Sequence, residues 1–213
     1  MILFYLLLIS SAFAESFNQH DLGVITHIKG VATFLPFQGL RAVTPLSQKS
    51  ILREGGSYLS HEKSFFTVKL FDGTWLKVSP LSKFSLEMNS ELKEIHLNLY
   101  SGSVKVLFSG NISQSKMQKF IISTGDGRFE TSEAKFSVFR NILESTGYIY
   151  VEKGLVRVSR NQLRTSGSEL VHAQEMTSLK DRDTTIESPR KISENQMKFL
   201  NSSFYLGTTK SFE

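Results

Sequence analysis

From Val24 onward one pattern governs the chain: apolar side chains recur at every second position. The clearest runs place Phe66, Val68 and Leu70 together, then Leu76 and Val78, then Phe84, Leu86 and Met88. Further on come Ile95, Leu97 and Leu99; Val104, Val106 and Phe108; Phe136 and Val138; Ile149 and Val151; and Val156 and Val158. A period of two sends successive side chains to opposite faces of an extended strand, so each run describes a strand with one buried face. Turn-forming residues separate the runs: Asp72-Gly73, Ser79-Pro80, Ser101-Gly102, Gly125-Asp126-Gly127 and Lys153-Gly154. Asp72-Gly73 is the strongest hairpin signal, because a type I′ turn needs positive φ at its centre and glycine tolerates it. The pattern predicts an all-β fold of stacked antiparallel hairpins, arranged as a β-sandwich or a short solenoid, with essentially no helix before about residue 180.

Three segments repeat loosely. Val24 to Val31, Ile95 to Val104 and Tyr148 to Val156 share an order of apolar alternation, a short polar spacer, a glycine (Gly30, Gly102, Gly154) and a second apolar strand. A two-stranded unit is marginal alone, so such units must bury against one another.

The two ends differ from this middle. Ile2 to Ile9 form an unbroken apolar run, followed by Ala12-Phe13-Ala14 in the small-x-small arrangement of a cleavage site. The run is too short for a membrane helix, which takes about 20 residues. A secretory signal peptide over residues 1–14 is expected, leaving a soluble exported chain from Glu15 in the periplasm, the cell envelope or the medium. After Leu179 the charged run Lys180 to Asp183 and Pro189-Arg190-Lys191 read as a linker. Ser193 and Gln196 then form a capping box for a short terminal helix carrying Met197, Leu200 and Phe204 on one face. The expected division is a β domain over 15–179 and a linker with helix over 180–213.

Catalytic patterns are missing from the sequence. There is no cysteine, which removes disulfides, thiolate nucleophiles and cysteine metal sites together. His20, His27, His61, His96 and His172 are scattered singly, without the spacing of a metal pair. No Gly-x-Ser-x-Gly elbow, phosphate loop or dinucleotide fingerprint occurs, and Gly125-Asp126-Gly127 lacks the further carboxylates of a calcium loop. No metal or cofactor is expected. The net charge of +5 is a weak pull toward anionic partners. The most suggestive charged set is Lys153, Arg157, Arg160 and Arg164, which could line an anionic polymer or serve as the ordinary solvent face of a strand. Nucleic-acid binding would need a denser basic patch or exposed aromatics.

The run Phe66-Thr67-Val68-Lys69-Leu70-Phe71-Asp72-Gly73-Thr74-Trp75-Leu76-Lys77-Val78-Ser79-Pro80 resembles the FecR domain family, with its strand, Asp-Gly-Ser/Thr turn, strand and small-residue turn. The resemblance continues through Leu99-Tyr100-Ser101-Gly102 and Val151-Glu152-Lys153-Gly154-Leu155-Val156-Arg157-Val158, and covers residues 22–179. Two departures stand out: Glu133-Ala134 replaces a Gly-Thr pair, and Gln174-Glu175 replaces a Gly-Glu turn. In its best-known setting the family comprises anti-sigma regulators with a cytoplasmic helical domain and a membrane helix. This chain resembles the stand-alone exported members instead. The resemblance implies a non-catalytic interaction module of the cell envelope, contacting a protein or a cell-wall polymer through a sheet edge or loop face. Alternative expectations are a soluble component of cell-surface signalling and a glycan-acting enzyme.

Overall fold

A computed structural model describes residues 21–37, 43–109, 117–125, 127–160, 167–181, 185–193 and 195–196. The strands are β1 (Asp21–Lys29), β2 (Ala32–Pro36), β3 (Thr44–Pro45), β4 (Ile51–Arg53), β5 (Gly56–Ser60), β6 (Phe65–Leu70), β7 (Trp75–Val78) and β8 (Lys83–Asn89). They continue as β9 (Glu94–Ser109), β10 (Lys119–Thr124), β11 (Gly127–Thr131), β12 (Glu133–Asn141), β13 (Thr146–Arg160), β14 (Ser168–His172), β15 (Glu175–Lys180) and β16 (Arg190–Lys191). The fold is all-β, as the alternation requires.

Two sheets make the fold, and they share strands. The first runs β4-β1-β6-β7-β9-β12-β13-β15-β16. The second runs β3-β2-β5-β8-β9-β10-β11-β13-β14. Strand β9 lies in the second sheet up to Ser101 and in the first from Gly102. Strand β13 makes the reverse passage at Gly154. The chain passes from β1 in the first sheet to β2 in the second through Gly30.

These three passages are the three repeated segments. Gly30, Gly102 and Gly154 have φ of 83°, 78° and 89°. Each follows a bulge, with Thr26, Tyr100 and Glu152 as the extra residues. A bulge followed by a left-handed glycine bends a strand sharply, which is how one strand turns the corner between two packed sheets. Ser101-Gly102 and Lys153-Gly154 therefore do not reverse the chain as the expected turns. They are bends inside strands of 16 and 15 residues. The result is a sandwich rather than a solenoid, because β9 closes a small barrel on each side: with β8, β5, β2, β1, β6 and β7 on one, and with β12, β13, β11 and β10 on the other.

The Asp72-Gly73 hairpin forms, with a different turn. Leu70 N–H donates to the Thr74 carbonyl and Gly73 N–H to that of Leu70, at 2.9 and 3.0 Å. Gly73 alone has positive φ, and the Asp72 carboxylate accepts from Thr74 N–H and Oγ1, at 3.0 and 2.6 Å. This is a three-residue loop stabilised by an Asx contact. One pairing departs from stacked antiparallel hairpins: β10 lies parallel to β9, from Lys119 opposite Glu94 to Ser123 opposite Asn98.

The core is continuous across both barrels. Tyr58, Phe66 and Phe84 fill one, Phe120, Phe129 and Phe136 the other, and Leu97, Leu99, Val104 and Val106 of β9 lie between them. The Tyr58 hydroxyl is pinned by Arg53, whose carbonyl accepts from it at 2.7 Å, and burial pushes its pKa up to about 12. A second group of hydroxyls, from Ser60, Ser79, Ser82 and Ser103, is buried where β5, β7 and β9 converge; Ser82 Oγ accepts from Ser103 N–H at 2.9 Å. These serines satisfy one another and nearby backbone groups, so they read as a turn lock.

The expected linker folds back. Arg190–Lys191 pairs with β15, and Ile192 packs beside Tyr148, Tyr150 and Met176. The capping box is present: Ser193 N–H donates to Gln196 Oε1 at 2.9 Å, and Gln196 N–H to Ser193 Oγ at 3.3 Å. Met197, Leu200 and Phe204 lie outside the described residues, as do residues 1–14, where a signal peptide is expected, His20, Asp126 and Arg164.

Candidate functional site

Strand register decides which polar residues meet. Lys153 lies just before the Gly154 passage, opposite Lys135 in the first sheet, whereas Arg157 lies after it, between Glu130 and Leu170 in the second. Arg160 is occupied structurally, its Nη2 donating to the carbonyls of Lys180 and Thr185 at 3.1 and 2.7 Å. The described members of the predicted basic set are thus divided between two sheets and do not form one stripe. The crossing at Gly154 separates them, and a local reading of β13 as two strands could not register that.

The first sheet gathers a different basic set. Across its solvent side the register aligns Ile51, Val24, Lys69, Trp75, Leu107, Lys135 and Lys153 in one row. The next row brings Lys77 opposite Lys105. Trp75 and Leu107 face each other and are 37% and 47% exposed. The Lys69 ammonium sits over the Trp75 ring, 5.6 Å from its centroid. Glu152, the bulge residue of β13, takes ion pairs from Lys105 and from Lys135, the latter at 2.7 Å. Burial pushes the Glu152 carboxyl up, but the hydrogen bonds and charges of these two lysines outweigh it and hold it below the ordinary range. Sequence reasoning passed over this face. The available signal was Leu107 and Trp75, apolar residues out of phase with the buried Val106 and Leu76 beside them.

On the second sheet's outer side the ion pairs gather on β9, β10 and β11, whereas Leu155 and Leu170, 40% and 44% exposed, flank Arg157 farther out. Lys119 bridges Glu94 and Glu130 at 3.0 and 3.2 Å, Arg128 pairs with Glu130 at 3.3 Å, and His96 with Glu94 at 2.9 Å. The hydrogen bond from His96 and those from Lys119 lower the Glu94 carboxyl, and the same carboxylates raise the Lys119 ammonium. A shallow depression of about 380 Å³ lies where β9 bends, lined by Asn98, Leu99, Tyr100, Ser123, Gly125 and Arg140. Arg140 is held bidentate by Asp181, with one contact at 3.0 Å. Among the described residues no three His, Asp or Glu side chains lie close enough to hold a metal ion, and no helix is long and apolar enough to cross a membrane.

No family model matches the chain, and no curated protein matches it. Two crystal structures, each described as a candidate anti-sigma factor from Parabacteroides distasonis, share the fold. One aligns with a TM-score of 0.55 at 12% identity over 68% of this chain and 64% of that one. The other aligns with a TM-score of 0.54 at 12% identity over 67% and 62%. The chain thus spans less than two thirds of the length of either, and what is common is the all-β architecture.

Proposed function

We propose that the chain is a non-catalytic, exported binding module of the bacterial cell envelope, of the FecR-domain type. The observation that carries this reading is the solvent side of the first sheet, where Trp75 and Leu107 lie exposed among lysines. Exposed apolar side chains rimmed by charge are the anatomy of a contact surface. Among the described residues the carboxylates with displaced proton affinity, Glu94 and Glu152, are both lowered by cationic neighbours. Both carboxylates are thus engaged in ion pairs that tie strands together. Three of the outermost strands, β3, β4 and β16, have only 2, 3 and 2 residues, which leaves β14, with 5, as the longest edge open to strand addition.

A second reading, a soluble component of sigma/anti-sigma type signalling acting on a membrane regulator, draws support from the likeness to the Parabacteroides distasonis structures. The test is a pulldown with the chain from Glu15 onward against solubilised envelope proteins and purified cell-wall polymer, at low and high salt. Retention of a defined envelope protein supports the module, and a membrane regulator among the retained proteins selects the signalling reading. Salt-sensitive retention on polymer moves the function to wall binding. Retention on neither overturns the proposal.

A further inference from the structure

The two outer faces of the sandwich differ in charge balance. On the second sheet, Lys119, Glu94, Glu130, Arg128 and His96 answer one another, and Arg157, beside Leu155 and Leu170, is a cation without an ion pair among the described residues. On the first, Glu152 is shared by Lys105 and Lys135, and Lys69, Lys77 and Lys153 have no carboxylate partner among the described residues. The apolar centre of that face, Trp75 against Leu107, lies on hydrogen-bonded strands and not on a protruding loop. Resting on the binding-module reading, we infer that this face docks an acidic protein segment carrying an apolar anchor residue.

Three physical points select that partner. Uncompensated lysines around a half-exposed apolar pair give a positive rim and a dry centre, the complement of carboxylates flanking an apolar side chain. A polysaccharide would need aromatic platforms for its rings, but Trp75 has the Lys69 ammonium 5.6 Å from its centroid and aliphatic Leu107 as its neighbour. A lipid surface is engaged by apolar groups that insert below the headgroups, and Trp75 and Leu107, set within paired strands and not on a protruding loop, have no such reach.

Trp75 is the only tryptophan in the chain, so intrinsic fluorescence reports on this face directly. The chain from Glu15 onward would be titrated with a synthetic peptide of Glu-Glu-Leu repeats. Parallel titrations would use polyglutamate, polygalacturonate and phosphatidylglycerol vesicles. The expected result is a saturable blue shift of Trp75 with the peptide, with affinity falling on the order of tenfold as salt rises from about 50 to about 300 mM. The double variant K77E/K153E should weaken binding by at least about tenfold, whereas Arg157→Glu on the other sheet should change it less than about twofold. Lys77 and Lys153 are exposed, and circular dichroism of the variant would check that it is folded. No shift with the peptide, a shift only with vesicles or polygalacturonate, or equal losses in both variants would overturn the inference. The pulldown separates the two levels. If the wild-type chain retains an envelope protein and K77E/K153E retains it equally, the face is wrong and the module reading stands. If the wild type retains nothing, the module reading itself falls.

Discussion

At single positions the backbone decides what a residue type costs. Gln174 adopts φ of 67°, the left-handed region that glycine enters most readily. A side chain in the left-handed region costs about 1 kcal/mol over glycine, partly returned by glycine's greater unfolded-state entropy. Gln174→Gly is expected to stabilise the chain by roughly 0.5–1 kcal/mol in urea denaturation, and a loss of stability would show that the Gln174 side chain makes a needed contact. Gly154 is the reverse case. A Cβ there would lie 2.5 Å from the Glu133 carbonyl oxygen and 2.9 Å from the Ala134 Cα, at φ of 89°. Gly154→Ala should cost at least about 2 kcal/mol, while Gly167→Ala, with nothing within 4 Å of the added carbon, should be close to neutral. Equal effects at the two positions would contradict the corner geometry. Much of this was legible from sequence, since Gly30, Gly102 and Gly154 stand out by repetition. Whether such a glycine reverses the chain or bends it was not, because the local residues are the same in both cases and only the distant partner strands differ.

Between elements, Glu152 ties three strands of the first sheet together by pairing with Lys105 on β9 and Lys135 on β12. Its carboxyl is lowered in the folded chain, so the folded state binds a proton less readily than the unfolded one. The contribution to stability is therefore present above the ordinary carboxylate pKa and is lost as pH falls through the lowered folded value. Glu152→Gln should lose about 1–3 kcal/mol at pH 7. Denaturation of both proteins across the acid range should show the gap closing below about pH 4, and a gap constant with pH would mean that the lysines contribute packing rather than charge. The strands themselves were readable from their alternation. The parallel pairing of β10 with β9 was not, because alternation marks each strand's buried face and leaves no mark of its direction relative to a partner. The Trp75 and Leu107 face carried a signal of the other kind: both residues break the polar half of the alternation.

For the molecule as a whole, the shared strand β9 makes a claim about cooperativity. Leu97, Leu99, Val104 and Val106 are at most 1% exposed and pack into a core containing residues of both barrels. A barrel that lost its partner would expose this wall, so the two should unfold as one unit. Trp75 reports from the barrel closed by β6 and β7, whereas Phe136 lies in the barrel closed by β12 and β13. Phe136→Leu keeps an apolar side chain in a fully buried position and should cost about 1 kcal/mol. The informative quantity is where that cost is read. If β9 couples the halves, the Trp75 fluorescence midpoint and the far-ultraviolet circular dichroism midpoint move together and by the same amount, although the substitution and the reporter sit in different barrels. A Trp75 transition left unchanged, with a separate earlier phase in the circular dichroism, would divide the chain into two folding units and make β9 a seam rather than a common wall.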